Sequence, residues 1–244
     1  MPTPFTHLAV AAELLAGGAL PAPLRAERPA FLLGNIAPDV QVLSQQTREA
    51  THFFPVPLDG APPAERLLLE RHPALASLAT LPPAQGAFVA GYLAHLVFDQ
   101  LWIARVFEPV FGPAQTWESF RERLYLHNVL RAYWDALDRA RLAPAAAVDL
   151  GAAEPRGWLP FVEDRDLAAW RDLVGGQLGA AGNSRTVEVF AARMQADPAA
   201  FAALLASPEE MERRLFGRLP LHALDAYRAE ALTRSGEVIK SYWS

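Results

Sequence analysis

The sequence predicts an all-α fold, and three observations lead there. The good helix formers Ala, Leu, Arg and Glu are abundant. β-Branched residues never form a long alternating run. Prolines fall near the starts of apolar-periodic segments, where a helix tolerates them, as at Pro160, Pro198, Pro208 and Pro220. The chain has 244 residues, 52% of them hydrophobic, enough for one domain with a sizeable core.

Taken in order, Thr6–Ala16 reads as a first helix stopped by Gly17-Gly18, and Pro21, Pro23 and Pro29 mark a connector. Phe31–Asn35 is a short apolar segment that ends at Pro38-Asp39. Residues 40–61 read as irregular, broken by Pro55, Pro57 and Gly60, and Pro62–Arg71 as a short amphipathic helix. Pro83–Val110 is the longest apolar helix, hydrophobic around most of its circumference, as a central helix should be. Thr116–Leu142 is a second long helix, more amphipathic. Residues 143–158, rich in Ala, Pro and Gly, are expected to form a long loop. Helices are expected at 163–180, 184–195, 198–206, 208–216 and 220–235, where Asp197-Pro198 and Ser207-Pro208 read as cap-plus-proline starts. Nothing in 143–244 points to chemistry.

The formal net charge is -5, with a single lysine, Lys240. Such a chain has no general electrostatic pull towards nucleic acid or anionic lipid, which argues against a nucleic-acid partner. With no cysteine, disulfides, thiolate metal sites and cysteine nucleophiles are excluded, and any metal must be held by His, Asp, Glu, amide or backbone groups. The start, Met1 to His7, lacks a basic region before its apolar stretch, so no signal peptide and a cytoplasmic location are expected. The uncharged stretch Ala84–Phe98 is shorter than the roughly 20 residues of a membrane span. No transmembrane segment is therefore expected, and the stretch reads as a buried core helix.

The sharpest local feature is His95-Leu-Val-Phe-Asp99. Residues four apart share a helix face, so an imidazole and a carboxylate point the same way from an apolar helix. Each needs a partner there, because burying an unpaired charge is costly. A divalent cation satisfies both. They could equally bond one another, or pair with Arg105 or a backbone group. Asp39 follows a proline turn in Gly34-Asn-Ile-Ala-Pro-Asp39, His52 lies 13 residues later in an irregular stretch, and His7 follows Pro4-Phe5-Thr6.

In order and approximate spacing, these pieces resemble the zinc-dependent phospholipase C family. They are Met-Pro-x-Pro-x-Thr-His7, Phe-Leu-Leu-Gly-Asn-Ile-Ala-Pro-Asp39, Thr-His52-Phe and Gly91-Tyr-Leu-Ala-His95-Leu-Val-Phe-Asp99. The resemblance covers about residues 1–140. It implies a single domain of the phospholipase C type, with a metal-site half over 1–142, a helical remainder over 159–244, and a site between helices. It implies one or two zinc ions and hydrolysis of a phospholipid or other phosphodiester. Asp39, His52, His95 and Asp99 would hold one zinc. Asp99 would bridge to a second, ligated by His7. Asp39 would be the general base. The secreted members complete the second zinc with an N-terminal tryptophan, whereas this chain begins Met1-Pro2.

A third zinc in those enzymes uses a His-x-x-x-Glu pair. The nearest match here is His127-Asn-Val-Leu-Arg131, and arginine is no ligand, so no third zinc is expected. Arg131 is instead a candidate for holding a phosphate oxygen, or a residue of a solvated helix face. His127 and Phe53 are further candidates for substrate contact. Phe54, Tyr92 and Trp102 could line an apolar pocket or simply pack the core. His72 and His222 are not expected to be ligands. The alternatives are a zinc nuclease-like phosphodiesterase, a catalytically inactive metal-binding scaffold, and a plain helical protein with satisfied core histidines.

Overall fold

The computed structural model describes residues 1–179 and 185–244. Among them the chain is all helix, with no strand. The helices are α1 (Pro4–Ala16), α2 (Ala22–Ala26), α3 (Arg28–Ile36), α4 (Gln41–Ser44), α5 (Arg48–His52), α6 (Ala64–Arg71) and α7 (Pro83–Trp102) in the first part. There follow α8 (Phe120–Arg141), α9 (Ala146–Gly151), α10 (Asp164–Gly179), α11 (Thr186–Met194), α12 (Pro198–Leu205), α13 (Pro208–Met211) and α14 (Leu221–Trp243).

The α7 helix is the axis of the fold. It is apolar all round because α3, α14 and α6 surround it. It continues past Trp102 as a wider π-helical stretch, Ile103–Phe111, in which Pro109 is accommodated. The whole helix, Pro83–Phe111, is long and apolar enough by length and composition to cross a membrane. Its most apolar window is 83% buried within the protein, as in a core helix. The last helix packs along it, with the Tyr227 hydroxyl donating to the Phe98 carbonyl at 2.8 Å. Arg228 ties α14 to both α1 and α8, meeting Glu13 at 2.7 Å and the fully buried Asp138 at 3.0 Å.

The closest crossing is α3 over α7, and glycine makes it possible. A Cβ on Gly34 would overlap the carbonyl oxygen of Phe88, and one on Gly91 would overlap that of Phe31. Only residues without side chains let the two backbones approach this far. The two glycines stand one residue before Asn35 and four before His95, so this contact brings the two site-bearing segments together.

Several expectations about elements need correction. The first helix begins at Pro4, because Thr3 caps it by accepting from the Thr6 amide. The Pro21–Pro29 connector contains α2, and the start of α3. Residues 40–61 hold α4 and α5 rather than irregular chain alone. The expected loop 143–158 contains α9, which packs on α3 and α10. Ala146 and Ala153 are buried there. The last helix runs on to Trp243, well past 235. The expected helix ends at 180 and 184 lie outside the described residues.

Candidate metal centre

Four elements deliver five side chains to one point. His7 comes from the first turns of α1, and His95 and Asp99 from α7. Asp39 sits in a single 3-10 turn, Ala37–Val40, that extends α3. His52 is the last residue of α5, where the following Phe53 takes the left-handed conformation (φ +64°) and its amide bonds back to Glu49. A non-glycine residue there is strained by about 1–3 kcal/mol. The buried Phe53 ring, set edge-on to His72 and Phe161, holds that turn in place.

The His95 and His52 imidazoles are aimed by their outer nitrogens. His95 Nδ1 donates to the Asn35 main-chain carbonyl at 2.8 Å, and His52 Nδ1 lies 3.0 Å from the Thr51 hydroxyl. The Thr51 carbonyl is itself pinned by the Tyr92 hydroxyl at 2.5 Å. Both Nε2 atoms are thereby turned inward, 3.3 Å from one another. Outer-nitrogen bonds of this kind are what orient histidine ligands in metal sites.

Asp99 lies at the centre. Its Oδ2 is 3.4 Å from His52 Nε2, 3.6 Å from His95 Nε2 and 3.3 Å from Arg48 Nη2. Its Oδ1 faces His7 Nε2 at 3.3 Å. Asp39 Oδ1 lies 3.5 Å from His52 Nε2. The His7 and His95 rings stack, 3.7 Å between centroids. His7, His52, His95 and Asp99 are fully enclosed, whereas the Asp39 side chain keeps 17% of its surface.

The cluster is not fully satisfied by its own hydrogen bonds. His7 is fully buried, yet neither of its ring nitrogens makes a hydrogen bond, and Asp99 Oδ1 makes none despite facing it. Buried polar groups are rarely left so. The donor atoms of His7, His95 and Asp99 form one close group and those of Asp39, His52 and His95 another, each within 4.8 Å. Such buried His/Asp groups could hold a metal ion.

The electrostatics follow from burial against mutual charge. Burial, helped by the neighbouring His95, brings the His7 imidazole down to about 4 against the pull of Asp99. Burial opposes a proton on His95 too, but Asp99, Asp39 and the Asn35 carbonyl outweigh it, so His95 rises. Burial would raise both carboxyls, but the histidines prevail, leaving Asp39 at about 2 and Asp99 well below the usual carboxylate range. The cluster thus keeps two carboxylates ionised, with one guanidinium in ion-pair contact, that of Arg48.

The structure brings together all five expected ligands, and it distributes the other candidates unevenly. Arg131 and His127 face a cavity of about 400 Å³ between the start of α1 and helices α8, α10 and α11. Of the five cluster residues, only Asp39 lines it. Arg131 is therefore not on a solvated helix face. Phe53 does not line this cavity, because its ring is spent on the turn after α5. Phe54, Tyr92 and Trp102 are core residues. His222 is exposed, and His72 stacks on Phe161 at 4.5 Å. Arg105, considered as a partner for the His95 pair, binds Glu230 instead.

Three contributors were not anticipated. Arg48 neutralises Asp99 and lies over the Phe54 ring at 4.3 Å. Asn35 presents the carbonyl that fixes His95. The region beyond 143, which showed no chemistry, supplies Trp170, Arg185, Thr186 and Arg193 to the cavity wall. Trp170 also donates to the Ile36 carbonyl at 2.7 Å, bracing the turn that carries Asp39.

Fold and site together define an all-α protein with a buried histidine–aspartate cluster that could hold a metal ion, open to a cavity through one carboxylate. No protein-family model, curated protein or solved structure matches the chain.

Proposed function

We propose that this chain is a zinc-dependent hydrolase of phosphodiester bonds with phospholipase C-like chemistry. The observation that carries this reading is the position of Asp39, which belongs both to the cluster and to the cavity wall. A reacting group lying in the cavity meets the cluster at that carboxylate.

Zinc is supported by spacing and donor type. Zinc bonds to nitrogen and oxygen of about 2.0–2.1 Å in a tetrahedron set ligand–ligand edges of about 3.3–3.4 Å. Four of the six edges, His52–His95, His52–Asp99, His52–Asp39 and His95–Asp99, measure 3.3, 3.4, 3.5 and 3.6 Å. Asp39, His52, His95 and Asp99 would hold one ion. His7, facing the other oxygen of Asp99, would help hold a second. Bound zinc lowers the pKa of water and polarises a phosphoryl oxygen.

The chain's own groups do the rest. Asp39, ionised and partly exposed, orients the attacking water and accepts its proton as the water oxygen bonds to phosphorus and the ester oxygen leaves. Arg48 pairs with Asp99 at 3.3 Å and so holds its carboxylate in place. The enclosed histidines exclude bulk water from behind the reacting group. The cavity wall of Phe5, Trp170, Val174 and Phe190 offers an apolar surface to the organic part of a substrate.

The test is elemental analysis of the purified, dialysed protein and of His95→Ala, with turnover of bis(p-nitrophenyl) phosphate measured on both. Zinc in the first sample, absent from the variant together with turnover, supports the reading. A metal-free protein overturns it. Zinc without turnover of this or a phospholipid substrate reduces the chain to a metal-binding scaffold.

A further inference from the structure

The cavity contains a positive charge with no ion-pair contact among the described residues. Arg131 donates through Nε to the Met1 carbonyl and through Nη1 to Asn128 Oδ1 at 2.9 Å, and it stacks over the Phe190 ring at 4.4 Å. These contacts fix the guanidinium plane. Its Nη2 makes no hydrogen bond among the described residues, and no carboxylate lies within ion-pair distance. A guanidinium drawn out of water without an anion is costly. Burial, reinforced by Arg193, brings its pKa down to about 10 in spite of Asp39, Asp99 and Asp135, of which Asp39 and Asp135 also line the cavity. Arg185 and Arg193 stand on the same wall, both exposed.

One turn before Arg131, His127 presents a second donor. Trp102 Nε1 lies 3.2 Å from His127 Nε2. An indole N–H can only donate, so His127 Nε2 accepts and the neutral ring carries its proton on Nδ1. That Nδ1–H has no partner among the described residues, and the residue, 8% exposed, borders the cavity. Burial keeps the imidazole neutral. A fixed guanidinium edge and a fixed N–H lie one turn apart on the same helix face and line the same cavity, so both can donate to one anion.

The mouth has the opposite character. Val42, Leu173 and Val189 are 53%, 44% and 40% exposed, and all three line the cavity. An apolar chain entering the cavity would find these three side chains along its wall.

We propose that Arg131 and His127 form a metal-independent phosphoryl subsite. Its ligand is a phosphate ester whose apolar chain lies against Val42, Leu173 and Val189. This deepens the proposed function and rests on it for the reaction, but binding at this subsite needs no metal.

The test is calorimetric titration of inorganic phosphate and of hexyl phosphate into the protein as purified, with its metal content measured. The titration is repeated after dialysis against EDTA, for the native chain and for Arg131→Gln. Binding that survives EDTA and weakens at least tenfold in Arg131→Gln is expected. A several-fold preference for hexyl phosphate identifies an amphiphile as the source of the phosphoryl group. Equal affinities would overturn the apolar-chain part. Binding that vanishes with EDTA, or that Arg131→Gln leaves unchanged, overturns the subsite, while the first of these would still support the metal. Because Arg131 also holds Met1, the variant could fail to fold. The ¹⁵N resonances of His127 in the native chain give a second readout. On adding phosphate the Nδ1–H signal is expected to move, and an unmoved signal overturns the assignment.

Discussion

His95 Nδ1 donates to the main-chain oxygen of Asn35 across the α3–α7 crossing, at 2.8 Å. A carbonyl can only accept, so this contact sets the tautomer and leaves Nε2 directed into the cluster. It is possible only because Gly34 and Gly91 let the helices touch backbone to backbone. Gly91→Ala would drive a methyl into the Phe31 carbonyl. Overpacking of this kind costs about 1–3 kcal/mol. With rigid backbone on the far side, we expect the upper end, a fall in Tm of about 6–12 °C. Because separating the helices also frees His95, metal affinity should fall with it. Thermal melts with and without added zinc check this. A Tm loss with unchanged zinc affinity would separate the crossing from the site.

Asp99 gives one oxygen to His7 and the other to His52 and His95. Asp99→Asn keeps the size of the side chain but removes the charge shared among three imidazoles. Zinc content and phosphodiesterase turnover should fall together, with the helical circular-dichroism spectrum retained. Full metal occupancy in the variant would sink the assignment of Asp99 as the shared ligand.

Arg48 and a bound cation do the same electrostatic work at Asp99. Removing one partner of a buried pair costs several kcal/mol. Arg48 keeps 16% of its side-chain surface, so we expect about 1–3 kcal/mol for Arg48→Met in metal-free protein. In zinc-saturated protein the loss should be smaller, because the cation already balances the carboxylate. Urea unfolding of both proteins with EDTA and with zinc measures the difference. Equal losses in the two conditions would place the role of Arg48 in its packing on Phe54.

The residues that showed themselves in the sequence were those whose chemistry conflicts with their neighbourhood. His95 and Asp99 stand out because an apolar helix has no reason to carry them four residues apart. Asp39, His52 and His7 became legible through the short motifs around them. The helices were legible because proline and glycine punctuate them. Arg48 was not, because an arginine in a polar stretch looks solvated until α5 folds it against α7. The cavity was not legible either. Its walls come from α1, α8, α10 and α11, brought together by packing that no local pattern encodes. Residues 143–158 misled because alanine, read there as low complexity, also suits a small helix packed on α3 and α10, where Ala146 and Ala153 are buried.

The fixed tautomer of His127 gives a pH dependence with a definite sign. Burial, with the N-terminal amino group and then Arg131 adding to it, holds this imidazole well below its ordinary value of 6.5 in the folded protein. On unfolding it regains that ordinary value. The unfolded chain therefore binds the extra proton below about pH 6.5, and the folded chain does not until well below that. The stability from keeping His127 neutral is full above about pH 6.5 and is lost progressively as pH falls towards the folded value, at most about 1.4 kcal/mol per pH unit. His127→Gln retains an acceptor for the Trp102 indole but cannot titrate. Its unfolding free energy between pH 6.5 and 5 should fall less steeply than that of the native chain by up to this slope. Every other titrating group is common to the two proteins, so their difference reports His127 together with its coupling to the N-terminal amino group. Parallel curves would mean that His127 takes its proton within the fold, and the donor on Nδ1 would then no longer be fixed by Trp102.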